Sequence, residues 1–363
     1  MTALAPGSTI GILGGGQLGR MLAMAAARLG LKCHVYSDQP GPAFDVAARS
    51  TVGAFEDAPR IAEFARGVDV ITYEFENVPL AAAAAAQEWA PVRPGAKALA
   101  AAQDRLEEKR FISSLGVPVA PFAAVDSAED LEPALTAVGP EAILKARCLG
   151  YDGKGQVAVR SASDLPAAFA ALGRVPSVLE GFIGFEYEIS VLAVRSLAGE
   201  TRFYDVPLNT HRGGILDTST VPSPLSAGHV LRAQDIARAI AVALDYVGVL
   251  AVEMFYVGVK APGPLIVNEI APRVHNSGHW TLDACTVSQF ENHIRAVAGW
   301  PLGPTERHAD AVMENLIGRD VDAWPKLAAE PGAALHLYGK GDPRPGRKMG
   351  HVTRLAPKAP GSV

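Results

Sequence analysis

The sequence predicts an α/β protein with a parallel sheet at its N-terminus, and three observations carry that prediction. A short apolar run, "STIGILGG", ends in glycines and opens into a helical pattern. Strand and helix patterns then alternate over the first hundred residues. Later, a long amphipathic helix is followed by two apolar strands, "VLAVEMFYV" and "PLIVNEIAP".

The elements follow in chain order. After the first strand, Leu18, Leu22, Ala26 and Leu29 recur near the helical period, and Gly30 is a natural stop. "KCHVYSD" reads as the second strand, "APRIAEFARG" as a helix and "VDVITYEF" as a strand. The alanine run from Ala81 to Ala86 predicts a helix, since alanine has the highest helix propensity. Pro91, Pro94 and Gly95 mark a boundary. A second α/β region opens with one helix over "AKALAAAQDRLEEKRFISSLG". "EAILKAR" and "VAVR" read as strands joined by the glycine loop "CLGYDGKGQ", and "SVLEGFI" and "EYEISVLAVR" as further strands of the same sheet. Ile236, Ile240 and Leu244 share one face of the helix before the final strand pair. From about Trp300 the chain is rich in Pro and Gly.

The 363 residues suffice for two or three domains, and a composition 49% hydrophobic and 20% charged suits a globular protein with a sizeable core. A net charge of −5 without a long basic run argues against binding duplex nucleic acid, though not against a local basic pocket. Cys33, Cys148 and Cys285 are scattered and odd in number, which suits free thiols in a reducing compartment. No signal-peptide pattern and no apolar run of about 20 residues is present. The expectation is a cytoplasmic protein with no membrane and no nucleic-acid partner.

Five constellations carry chemistry. Gly14, Gly16 and Gly19 have the spacing G-x-G-x-x-G, with Asp38 at the end of the next strand. Three readings fit: a dinucleotide site, a turn whose glycines serve close packing, or an anion site for another phosphate-bearing ligand. Lys145 and the loop Gly150 to Gln156 form either a polyphosphate clamp or a plain hairpin turn; the loop lacks the Walker pattern. Glu253 and Glu269 interrupt two adjacent apolar strands, and with Asn268 they supply hard oxygen ligands suited to Mg²⁺ rather than zinc. The alternative is two solvated or salt-bridged strand residues, with Arg273 as candidate partner. Glu180 could accept from an adenine amino group and Glu188 from a ribose hydroxyl, or both are exposed acids on an edge strand. The polar loop "APRVHNSGHW" suits recognition of a small polar substrate, and the basic stretch "YGKGDPRPGRKMGH" is either an arginine fork for a phosphate or a solvated basic loop. No Ser-His-Asp or Cys-His arrangement indicates covalent catalysis.

The order of the glycine turn, "YEFENVP", "KAR…GYDGKGQ", "EGFI…E", "AVEMF", "NEIAPRVHNSGHWT" and "PGRKMGH" resembles the ATP-grasp superfamily. Within it the chain looks like the 5-(carboxyamino)imidazole ribonucleotide synthases, over nearly its whole length. The resemblance implies an ATP-grasp fold with three parts. These are an N-terminal Rossmann-like (pre-ATP-grasp) parallel-sheet domain at 1–100, an ATP-grasp domain at 101–299 with a lid at about 118–185, and a small C-terminal domain at 300–363. It implies ATP- and bicarbonate-dependent carboxylation of aminoimidazole ribonucleotide through carboxyphosphate, with Mg²⁺ (two ions) and a homodimer.

By that resemblance ATP contacts fall on Arg105, Lys145, Gly150, Tyr151, Asp152, Gly153, Lys154, Gly155, Gln156, Glu180, Gly181, Phe182, Ile183, Glu188, His211, Asn268 and Glu269. Glu253 and Glu269 hold the metal. Substrate contacts fall on Gln17, Leu18, Glu74, Tyr151, Asp152, Arg273, His275, Asn276, Ser277, Lys340, Arg347 and Lys348. Lys145, Asp152, Arg273 and Lys340 take the catalytic roles. The alternatives are a formate-dependent glycinamide ribonucleotide ligase of the same superfamily and a nicotinamide oxidoreductase built on the opening turn.

Overall fold

The computed structural model describes residues 3–150, 154–259 and 263–359. Tyr151, Asp152 and Gly153, which the sequence places in the site, lie outside the described residues.

The N-terminal part is a four-stranded parallel sheet in the order Arg49–Val52, Lys32–Ser37, Thr9–Leu13, Val70–Tyr73. The helix Gln17–Arg28 follows the glycine turn, with Leu18, Leu22 and Ala26 buried, and Gly30 stands just past its end at φ +70°. The alanine run is the helix Leu80–Gln87. Sequence patterning misses the strand Arg49–Val52. It is a sheet edge with no buried position, so it shows no apolar signal.

The long helix expected after Gly95 is two helices, Ala96–Gln103 and Arg105–Ser114. Asp104 breaks it. Its backbone is extended, at φ −125° and ψ 114°, and its side chain accepts from the Leu106 N–H at 2.9 Å as an N-cap. The same carboxylate pairs with Arg147 at 2.6 Å, a tertiary contact that helical periodicity does not register.

The middle of the chain forms a small antiparallel sheet in the order Phe122–Val125, Ser177–Gly181, Ala142–Ala146, Gln156–Val159. Helices Leu131–Val138 and Leu165–Ala171 cover it over a core that includes Leu144, Phe169 and Leu179. The strands expected to continue one sheet therefore separate. Ser177–Gly181 ends the small sheet, and Tyr187–Arg195 enters a large one.

The large sheet has nine antiparallel strands. Leu265–Ala271, Gly248–Tyr256, Tyr187–Arg195, Leu208–Arg212 and Ile215–Val221 run from one edge. The C-terminal strands Ala309–Ile317, Lys348–Pro357 and Ala333–Leu337 extend that sheet directly, through pairing of Ile215–Val221 with Ala309–Ile317. Thr201–Phe203 pairs off this path. The helix Ala227–Ala243 packs on one face, with Ile236 and Ile240 inward, and Leu244 buried at its end. The helix Gln289–Val297 lies between the large sheet and the N-terminal helix, so one core spans both. His293 locks this junction. Its Nδ1 accepts from the Val249 N–H at 3.1 Å, and its Nε2 lies 2.8 Å from Thr72 Oγ1. No described helix is long and apolar enough to cross a membrane. Cys33 and Cys285 are buried and Cys148 is exposed, all as free thiols.

Candidate active site

A cavity of about 860 Å³ opens where the three sheets converge. Its walls come from the N-terminal glycine turn, the small sheet, the hairpin of the large sheet and the C-terminal basic loop.

The hairpin supplies the carboxylates. Gly248–Tyr256 and Leu265–Ala271 pair antiparallel, and Glu253 stands directly opposite Glu269. A bulge follows immediately, between Glu253 and Met254. Arg105 donates to Glu269 at 2.8 Å, and His275 Nε2 lies 3.1 Å from Glu253. Burial and the neighbouring Glu269 charge push the Glu253 carboxyl up. Burial opposes ionisation of Glu269 too, but Arg105 outweighs it and holds that carboxyl down. The pair thus shares one negative charge readily and two reluctantly. Glu269 is thus salt-bridged, but to Arg105 and not to the expected Arg273. Arg273 is half-buried against Glu76, with Nη2 donating to Oε1 at 3.0 Å.

Lys145 projects from Ala142–Ala146 and is almost fully buried. It sits 3.1 Å from Glu180, which also pairs with Lys109 at 3.1 Å. Lys109 in turn donates to the Asn268 carbonyl at 2.5 Å. Glu180 is therefore not an exposed edge acid, and its Oε1 is buried with no hydrogen-bond partner among the described residues. Its side chain is 3% exposed and anchors two lysines, and Glu180 does not line the cavity. Nor do Gly155, Gly181, Phe182, Ile183 or Ser277. Ser277 is wholly buried and bonds Ser190 at 2.7 Å and His275 at 2.9 Å, a packing role.

The glycine turn packs against the neighbouring strand end. Its helix N-terminus does favour an anion, but the anion is the protein's own. Glu74 accepts from the Gly19 N–H at 2.9 Å and from the Gly16 N–H. A Cβ at Gly16 would lie 2.5 Å from Glu74 Oε1, and Gly14 has φ +111°. Asp38 is exposed at the end of its strand. Packing and an internal anion explain these glycines without a dinucleotide.

The other predicted residues converge. Gln17, Leu18, Glu74, Arg105, Lys145, Gly150, Lys154, Gln156, Glu188, His211, Asn268, His275 and Asn276 line the cavity with Glu253 and Glu269. So do Arg273, Lys340, Arg347 and Lys348. Glu188 lies 2.7 Å from His211 Nδ1; burial works against the imidazolium, but Glu188 prevails and raises the His211 pKa. Both polar atoms of the Asn276 side chain are buried without a partner among the described residues, which marks them for a ligand.

Phe185, Phe255 and Glu108 escaped sequence reading: the two rings stack at 4.7 Å, and Glu108 caps the Ile270 N–H at 2.6 Å. Glu76, Arg344, His279 and Tyr338, from the E-x-E of "YEFENVP" and the two polar stretches, complete the wall. The density of charge in "RLEEKR" was the available signal for Glu108 and Lys109; it looks like a solvated helix face until Leu265–Ala271 packs on it.

Three family descriptions match consecutive stretches: a ribonucleotide synthetase pre-ATP-grasp domain at 7–103, an ATP-grasp domain at 110–290, and a phosphoribosylaminoimidazole carboxylase C-terminal domain at 311–360. The fold and site are those of an ATP-grasp protein with its pre-ATP-grasp domain. An N5-carboxyaminoimidazole ribonucleotide synthase of Brucella melitensis is 54% identical over 98% of this chain and 99% of its own length. The chain belongs to the N5-carboxyaminoimidazole ribonucleotide synthase family. The crystal structure of an ADP complex of such a synthetase superposes with a TM-score of 0.94 at 40% identity, covering 98% of this chain and 94% of that one. The Aspergillus clavatus synthase, in complex with ADP and 5-aminoimidazole ribonucleotide, gives a TM-score of 0.90 at 31% identity over 97% and 94%.

Proposed function

We propose that this chain is an ATP-dependent carbon–nitrogen ligase that carboxylates aminoimidazole ribonucleotide with bicarbonate, a step of purine biosynthesis. One observation carries the reading. A single cavity joins the facing acids Glu253 and Glu269, with Lys145, to the basic trio Lys340, Arg347 and Lys348. One end suits nucleotide polyphosphate and the other a sugar phosphate.

The acid pair fits Mg²⁺. Two opposed carboxylates and the nearby Asn268 amide are hard oxygen donors, and the like-charge repulsion that raises Glu253 is what a cation relieves. Bound there, Mg²⁺ would neutralise charge on the nucleotide phosphates. Lys145 holds a cation against the transferring phosphoryl group, its position fixed by Glu180. Bicarbonate is a poor electrophile. Its oxygen attacks the γ-phosphorus, giving ADP and carboxyphosphate. Carboxyphosphate breaks its C–O bond to leave phosphate and CO₂ beside the amine. The amine nitrogen bonds the carbon and yields its proton to phosphate. No protein nucleophile takes part. The stretch 118–185 is read as a lid that excludes water from the acyl phosphate. Asp152 would orient the amine. The homodimer and the cytoplasmic location remain part of the proposal, the former tested by light scattering of the purified protein.

The experiment mixes ATP, Mg²⁺, bicarbonate and aminoimidazole ribonucleotide and follows ADP. Ribonucleotide-stimulated ADP release is expected, and its absence sinks the reading. Replacing bicarbonate and ribonucleotide by formate and glycinamide ribonucleotide should give none.

A further inference from the structure

Gln289 is fully buried, and one residue sets the direction of its amide. Its Oε1 accepts from the His275 N–H at 2.9 Å, and its Nε2 donates to the His275 carbonyl at 2.6 Å. A backbone N–H cannot accept and a carbonyl cannot donate, so only one orientation satisfies both. The same Nε2 lies 3.2 Å from Nδ1 of His279. Gln289 is therefore the donor in that contact and His279 Nδ1 the acceptor. A neutral imidazole with an accepting Nδ1 carries its proton on Nε2.

His279 is 1% exposed, yet it borders the cavity beside Asn276 and Tyr338. The rings of His351, at 4.9 Å, and Phe290, at 5.4 Å, hold it in place. Among the described residues no group bonds its Nε2. Burial first, then the charges of His275, His336, Lys348 and Arg273, keep the ring uncharged. It is a neutral donor in a wall otherwise rich in cations. Lys340, Arg347 and Lys348 suit the phosphate. An uncharged N–H suits an uncharged acceptor.

We propose that His279 is a specificity-determining residue that donates its Nε2–H to an uncharged acceptor on the nucleoside part of the ribonucleotide, and that Gln289 is the positioning residue that fixes this tautomer. The proposal rests on the ribonucleotide occupying this end of the cavity, as in the function proposed above.

Two measurements on the full-length protein test it. A long-range ¹H–¹⁵N spectrum of histidine-labelled protein, with the His279→Leu variant for assignment, should show His279 as the Nε2–H tautomer at pH 7.5. The Nδ1–H tautomer or an imidazolium would overturn the proposal. In kinetics, His279→Leu should raise the ribonucleotide KM roughly tenfold, the loss of one buried hydrogen bond, and leave the ATP KM in place. His279→Gln, which keeps an N–H, should recover most of it. Inhibition by the phosphate-free aminoimidazole riboside should weaken by a similar factor in His279→Leu. An unchanged ribonucleotide KM in a folded His279→Leu protein, or full-strength inhibition by the riboside, overturns the assignment. A parent enzyme inert toward the ribonucleotide would instead sink the functional reading, and the tautomer spectrum would stand apart from it.

Discussion

Glu74 accepts a 2.9 Å hydrogen bond from the backbone N–H of Gly19, and so places a buried carboxylate at the N-terminus of the first helix. The anion that the glycine turn attracts is supplied by the strand end next door. Glu74→Gln keeps the volume but removes the charge, and its amide can accept through one oxygen only. It should lower the unfolding free energy by about 1–3 kcal/mol in urea titrations. The parent should show no saturable NADH binding by calorimetry. A neutral effect on stability would return the turn to an outside ligand.

Glu269→Gln removes the carboxylate charge proposed to hold the metal, at nearly constant volume, and leaves Arg105 without its carboxylate partner. ADP release should fall at least roughly a hundredfold, with the circular-dichroism spectrum retained. Activity near the parent's would rule out the metal role.

Glu180 binds two lysines at 3.1 Å in a buried cluster. Glu180→Gln should therefore destabilise the fold by about 3–5 kcal/mol, since it strands two buried cations. Adding Lys109→Met should restore part of that loss. An intact melting temperature together with a raised ATP KM would show that Glu180 reads the base after all.

Lys348→Ala should mainly raise the ribonucleotide KM, by about tenfold for one charge-assisted contact. A change confined to the ATP KM would move Lys348 to the nucleotide end.

His293 is fully buried, and burial lowers its pKa to about 3. Above pH 6.5 the ring is neutral in both folded and unfolded chains, and its contribution is complete. Between pH 6.5 and about 3 the unfolded chain binds a proton that the folded one does not. Stability should fall through that window by up to about 1.4 kcal/mol per pH unit from this group. His293→Gln should flatten the slope of urea midpoint against pH. An identical slope would assign the acid sensitivity elsewhere.

Much of the site was legible because its chemistry is local. Glu253 and Glu269 each interrupt an apolar strand, and Lys145 ends one. Acids and lysines in such positions signal function at the level of the chain. What was misread depends on partners far away in sequence. Asp104 looked helical because its Arg147 partner was invisible, and Glu180 looked exposed because Lys109 sits on another element. Arg273 stands close in sequence to Glu269 yet pairs with Glu76, nearly two hundred residues earlier.

By itself the sequence determined the α/β class, the family resemblance and the residue types of the site. Hydrophobic period, glycine spacing and isolated charges in apolar runs are properties of neighbours along the chain. Only the tertiary structure decided which charges meet. It set Glu253 against Glu269 in register, gave the glycine turn to Glu74 and turned the Gln289 amide toward His279. Those pairings follow from which side chains are buried together, because a buried polar group must find its partner wherever the fold provides one.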